Sequence, residues 1–279
     1  MTNLPANRIA ELDRKGVKWR KILEVAHRTN NYFMTKYSDP TIDTYVKKKR
    51  TSNLWTRAVY YEGLMALYEI EPQQRYLDHA MNSYKWSRDT LAGGLFNKKE
   101  GFWWRDKDYV PPYKEKDGSN CYWSRGNGWV YAALVRVMQT LPKTDKNYQY
   151  LKNDFILMSK AILKSQREDG YWNVSLVCPA NYSGPEMTGT GLFLYGMAWG
   201  VQQGILPRAT YQKAMDKVWK ALAASVHEDG FIGYNQGTGK DPAAGQPVTF
   251  TSVPDFEDYG TGCLLLGAVE YYKLLKVKK

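Results

Sequence analysis

One spacing constrains this chain more than any other feature. Loops rich in glycine and aromatic residues give way to apolar helical stretches near Trp55, Trp123, Met187 and Glu257, so the same transition recurs every 64–70 residues. Residues 17–37, 54–70, 73–91, 122–140, 146–167, 187–204, 208–228 and 257–277 carry apolar positions at helical spacing. Strand patterns are weak and no βαβ alternation occurs, so the sequence predicts an all-α fold. The links "EIEPQQ", "LPKTDKN" and "GILPRAT" are short, and each holds a proline that separates one helix from the next. The other links are long: residues 91–120, 167–186 and 227–257. Two of them open with near-copies, Glu168-Asp169-Gly170-Tyr171 and Glu228-Asp229-Gly230-Phe231, and Lys99-Glu100-Gly101-Phe102 is a looser third. Their Asp-Gly pairs suit turns.

Alternating short and long links place every long loop at one end of a stack of helical hairpins. The expectation is one domain, residues 1–279, forming an (α/α) toroid. A ring of six hairpins at this period needs about 390 residues, whereas eight helices make only about four hairpins. A shortened ring, or a homo-oligomer that covers the exposed flanks, follows from that deficit.

Composition narrows the chemistry. Cys121, Cys178 and Cys263 form no CxxC pair, and His27, His79 and His227 are scattered, so neither a disulfide framework nor a metal site is expected. No apolar run approaches the roughly 18 residues needed to cross a bilayer. "MTNLPANRIAELDRKG" lacks the apolar stretch of a secretory signal, so the expected compartment is the cytoplasm, or the periplasm if an export signal has been removed. The net charge of +11 attracts polyanions of any kind, but no basic residue recurs at fixed positions of the repeat, which argues against nucleic acid as a partner. Ten tryptophans offer flat faces that suit sugar rings.

The segment "CYWSRGNGWVYAALVRVMQTLP" runs from a polar, glycine-broken cluster straight into an apolar helix. Helix starts favour anions, and a guanidinium grips a carboxylate with two parallel hydrogen bonds. Arg125 between Trp123 and Trp129 therefore suits a carboxylate attached to a ring, such as a uronic acid. Arg57, Asn127, Glu186, Thr188, Thr190, Asp255, Glu257 and Asp258 fall at the same end of the repeat. The competing reading is structural: Arg125 paired with Glu186 or Asp258, and both tryptophans in the core.

"YWSRGNGWVYAALVRVMQTLP", "REDGYWNVSLV", "SGPEMTGTGLFLYGMAWGVQQGIL", "HEDGFIGYNQ" and "DYGTGCLLLGAVE" together resemble glycoside hydrolase family 105, the unsaturated rhamnogalacturonyl hydrolases, with family 88 a more distant relative. The resemblance implies a six-hairpin toroid. It also implies removal of a terminal Δ4,5-unsaturated uronic acid from acidic oligosaccharides left by polysaccharide lyases. In that reaction an aspartic acid protonates C4 of the vinyl ether, water adds at C5, and the hemiketal falls apart without metal or organic cofactor. Trp123, Arg125 and Trp129 match the family's sugar-contacting motif, and Asn127, Glu186 and Thr188 join them as candidate substrate-binding residues.

Two catalytic aspartates of the family have no counterpart here. The Trp-x-Asp position falls on Trp55-Thr56-Arg57, and helix 73–91 runs directly into "SRDTLAGGLF", as if two hairpins were excised. Asp106 in "WWRDKDY" is the leading substitute acid, ahead of Asp108, Glu186, Asp255 and Asp258, with a surface pairing to Arg105 or Lys107 as its alternative. A shortened, non-catalytic relative that binds acidic sugars is the other functional reading.

Overall fold

The computed structural model describes residues 19–45, 49–53, 55–182, 184–239 and 241–276. Parts of the basic runs Lys47–Arg50 and Lys276–Lys279, and the outermost residues of the first and last expected helices, lie outside the described residues. Eight α-helices stand among those described: α1 Trp19–Lys36, α2 Trp55–Ile70, α3 Gln74–Asp89, α4 Ser124–Thr140, α5 Lys146–Lys164, α6 Met187–Gln202, α7 Arg208–Ser225 and α8 Asp258–Lys276. Every expected helix is present with its ends shifted by at most three residues. The largest shifts, at the ends of α5 and α7, have one cause. The Glu-Asp-Gly copies turn the chain early, with Asp169 and Asp229 accepting the amides of Tyr171 and Phe231 at 3.2 and 2.9 Å. Gly170 and Gly230 sit at φ +95° and +92°, which glycine adopts without penalty. Extended structure is confined to three two-residue antiparallel ladders: β1 Thr44–Tyr45 with β2 Lys49–Arg50, β3 Phe96–Asn97 with β4 Phe102–Trp103, and β5 Trp172–Asn173 with β6 Pro185–Glu186.

The chain divides into two compact units, residues 1–86 and 87–279, and the boundary falls inside α3. In the first unit the helices meet through aromatic rings. Tyr60 stacks on Phe33 at 3.9 Å between ring centres and donates its hydroxyl to Asn30 Oδ1 at 2.8 Å. His27 bridges Tyr76 Oη and the Glu71 carboxylate, at 2.9 and 2.8 Å.

The second unit is organised around α6. Its sequence, "MTGTGLFLYGMAWGVQ", has no charged residue, and every position from Met187 to Val201 is buried. A helix apolar on all sides must be packed on all sides, and α6 packs against α8, α4 and α7. Burying Leu192, Phe193 and Leu194 contributes about 1.5–3 kcal/mol apiece. Glycine sets the closeness of these contacts. A Cβ on Gly191 would lie 2.6 Å from the Cys263 carbonyl oxygen, and one on Gly267 would lie 2.6 Å from that of Gly191, so α6 and α8 touch backbone to backbone. Tyr131 of α4 fits against Gly196 and stacks on Phe155 of α5 at 4.6 Å.

Two glycines of α8 should respond to the same substitution in opposite directions. Gly267→Ala forces a methyl group against backbone and should destabilise the fold by about 1–3 kcal/mol. Gly262, with nothing within 4 Å of its added Cβ, should gain roughly 0.5–1 kcal/mol as alanine. Urea denaturation of both variants measures the pair.

Candidate active site

In the second unit the starts of α4, α6 and α8 converge at the ends of the three long loops. A Cβ on Gly189 would lie 2.1 Å from Ser124 Oγ, which shows how closely the first turns of α6 and α4 meet. Arg125, in the first turn of α4, is only 4% exposed. Its guanidinium carbon lies 4.8 Å from the Trp123 ring centre and 4.9 Å from that of Tyr259 on α8. Its Nη1 and Nη2 donate to the carbonyls of Gln236 and Gly237 at 2.7 and 2.8 Å. Among the described residues it forms no ion pair with Glu186 or Asp258. Arg125 therefore clamps the loop between α7 and α8, and its acceptors are backbone oxygens, not carboxylates.

Gln236 is the point where the clamp closes. It is fully buried. Its carbonyl also accepts Tyr259 Oη at 2.5 Å, its Oε1 accepts Trp123 Nε1 at 2.9 Å, and its Nε2 reaches the carbonyl of Asp241 at 3.2 Å. Asp241 accepts the Tyr109 hydroxyl at 2.5 Å, which joins this loop to the one between α3 and α4. Burial, and then the hydrogen bond to Asp241, raise the Tyr109 pKa. Burial likewise raises that of Tyr259, with Arg125 opposing it. Both phenols therefore act as neutral donors near neutral pH.

The other expected site residues are placed as follows. Asn127 is buried, and its amide accepts from Trp103 N at 2.8 Å and donates to the carbonyls of Trp103 and Trp123, both at 3.0 Å. Glu186 is wholly buried and caps α6, accepting the amides of Thr188 and Gly189 at 2.9 and 2.7 Å and the Thr188 hydroxyl. These three residues hold helix starts and loops in place. Trp129 is 44% exposed and offers its ring to solvent. Asp106 accepts from Arg105 and from the Asp108 amide, as a turn carboxylate does. Asp255 is exposed; it accepts the amide and hydroxyl of Thr238, and these hydrogen bonds hold its pKa below the usual carboxylate value.

Beside the clamp the same loop lines an open cavity of about 310 Å3, with Asn235, Gly237, Thr238, Gln246 and Asp255 among its walls. Asn235 is buried, and its Oδ1 has no hydrogen-bond partner. Sequence reading passed over Asn235, Gln236, Tyr109, Asp241 and Tyr259. The available signal was "GYNQGTGK", where two amide side chains precede a glycine pair in the last of the three loops.

Long loops gathered at the starts of apolar helices, on a mostly helical frame, are features of the helical glycoside hydrolase folds that this chain resembles. Residues 87–275 match Glycosyl Hydrolase Family 88, and the chain belongs to that family. The motifs had pointed first to family 105 and second to family 88. The unsaturated 3S-rhamnoglycuronyl hydrolase of Formosa agariphila is 37% identical over 185 residues, covering 64% of this chain and 48% of that protein. The chain thus spans about half the length of that curated relative. A glycosyl hydrolase family 88 structure from Bacteroides vulgatus superposes with a TM-score of 0.78 at 30% identity, over 95% of this chain and 72% of the other. Polysaccharide Lyase BACCELL_00875 gives a TM-score of 0.78 at 31% identity, over 97% and 72%.

A structural clamp has a structural signature. Arg125→Met should cost about 1.5–3 kcal/mol, the worth of hydrogen bonds from a charged donor. It should also make the backbone around Gln236 and Gly237 exchange amide hydrogens faster. Unchanged stability and exchange would mean the guanidinium contributes nothing to holding this loop.

Proposed function

We propose that the protein removes a terminal unsaturated uronic acid from lyase-generated acidic oligosaccharides by hydrating its vinyl ether. The observation that carries this reading is Arg125, stacked between two aromatic rings beside an acceptor-lined cavity, in a chain of family 88. A guanidinium has five N–H donors and two are committed to loop carbonyls, so donors remain for the uronate carboxylate. Trp129 presents a ring face for the sugar. Asn235 Oδ1 needs a donor, which a sugar hydroxyl supplies. The substrate class in the Formosa relative's name supports rhamnose as the neighbouring sugar. Asn127, Glu186 and Thr188 position the site without touching the sugar.

In the reaction a proton goes to C4 and water adds to C5; the C5 hemiketal then opens the ring to a ketone, and the hemiacetal left at C1 releases the neighbouring sugar as its alcohol. The donor must stand within hydrogen-bond reach of the carbon. Asp106 is poorly placed for this, since Arg105 and the Asp108 amide already occupy its carboxylate. Absence of both family aspartates favours a second reading, binding of the acidic sugar without turnover.

Ultraviolet absorbance of the conjugated double bond separates the readings by sign. Unsaturated glycuronyl-rhamnose should lose absorbance with the wild-type protein and with Asp106→Asn. Trp129→Ala should cut kcat/KM by roughly tenfold, the effect of about 1.4 kcal/mol. Absorbance that rises on intact polysaccharide would assign β-elimination, the chemistry in the name of the lyase neighbour. Saturable binding with flat absorbance would establish the non-catalytic reading.

The same proposal treats residues 1–279 as one domain that self-associates. Leu265, Val269, Tyr272 and Leu275 are exposed along one face of α8, an apolar stripe that a second copy would cover. Light scattering should return a multiple of 32.2 kDa, and Tyr272→Glu should return the monomer mass.

A further inference from the structure

The loop that Arg125 clamps carries a chemistry of its own. Gly237, whose carbonyl accepts Arg125 Nη2 at 2.8 Å, is also one wall of the open cavity, and Thr238, Gln246, Ser252 and Asp255 are polar walls. Most of their donors are spent inside the loop. Thr238 donates its amide to Asp255 Oδ1 at 2.7 Å and its hydroxyl to Oδ2. Ser252 Oγ donates to the Thr249 carbonyl at 3.1 Å, and Gln246 Nε2 to that of Pro242 at 2.8 Å. Acceptor capacity is left over. Each Asp255 oxygen keeps a lone pair beyond its bond from Thr238, and Asn235 Oδ1, in the same wall, has no partner.

Among the described residues Asp255 is the only charged wall, and no cation pairs with it. The two bonds from Thr238 lower its pKa, so the carboxylate is ionised near neutral pH. One open lone pair on each oxygen fits two adjacent hydroxyl donors, while the charge repels a second anion. Apolar surface stands beside it. Val253 is 74% exposed, so most of its side chain is uncovered, and Pro247 lines the same cavity. A volume of about 310 Å3 is at the small end for ligand sites and leaves room for about one sugar ring.

We propose that this cavity seats the neutral sugar next to the uronic acid as a 6-deoxyhexose, with adjacent hydroxyls on Asp255 and its methyl group against Val253, and that Asp255 refuses the same ring when a sulfate replaces one of those hydroxyls. The assignment rests on the uronate contact at Arg125 proposed above, which fixes the neighbouring ring beside Gly237. An anion is held at the guanidinium and rejected at the carboxylate, so the two charges set the order in which the sugars lie.

Ligand-observed NMR of the full chain tests the cavity on single rings. Methyl α-L-rhamnoside should bind saturably. Methyl α-L-mannoside, the same ring with a hydroxyl on C6, should bind roughly tenfold more weakly, and methyl α-L-rhamnoside 3-sulfate should not bind. Asp255→Asn should narrow the gap between the free and sulfated rings to a few-fold. Val253→Ser should level rhamnoside and mannoside while still refusing the sulfated ring, and this exposed position carries the test if the asparagine variant fails to fold. Absorbance of unsaturated glycuronyl-rhamnose, followed in parallel, keeps the two readings apart: falling absorbance without rhamnoside binding sinks the cavity assignment alone, and rhamnoside binding with flat absorbance sinks hydrolysis alone. Wild-type protein that takes the sulfated ring as well as the free one, or preferences unchanged in both variants, would overturn the proposal.

Discussion

The backbone contact between α6 and α8 sets the terms for the second unit. With Gly191 and Gly267 each within 2.6 Å of the facing backbone once a Cβ is imagined, neither helix can carry a side chain there. The two axes are therefore drawn together, and the first turns of both helices are held at a fixed offset. That offset puts Tyr259 of α8 across Arg125 of α4, since α6 also fixes α4 through Gly196 and Tyr131. The site inherits its geometry from contacts one to three turns into the helices.

On that frame the loops are tied to helix starts by groups that sequence alone assigns to binding. Asn127 matches its amide to the backbone of Trp103, and Glu186 closes the first turn of α6. Both are buried polar groups with their hydrogen-bonding capacity met, the condition under which such groups rigidify a structure. What faces solvent is smaller: the Trp129 ring and the rim of a cavity whose buried Asn235 oxygen lacks a donor.

The fold was legible because its signal is repeated. Eight periodic segments, proline-bearing short turns and three Asp-Gly or Glu-Gly turns each point to helices joined in alternation, and the largest shifts of their ends fall where the Asp-Gly turns begin early. The site was legible in part. Arg125 and Trp123 stand out as polar and aromatic residues at an apolar helix start, yet periodicity says nothing about which oxygen a guanidinium will meet. The acceptors proved to be carbonyls of Gln236 and Gly237, more than a hundred positions away, and a carbonyl leaves no mark in a sequence. Glu186 was ambiguous for a related reason. A carboxylate immediately before a glycine-rich helix reads equally as a cap or as a ligand contact, and only its three donors decide.

The Arg125 clamp has a kinetic corollary. Two of its donors hold the carbonyls of residues 236 and 237, so that segment can lift only by stripping both oxygens from a guanidinium wedged between two rings. Both contacts are lost together or kept together, which makes opening of the segment a rare, all-or-none event.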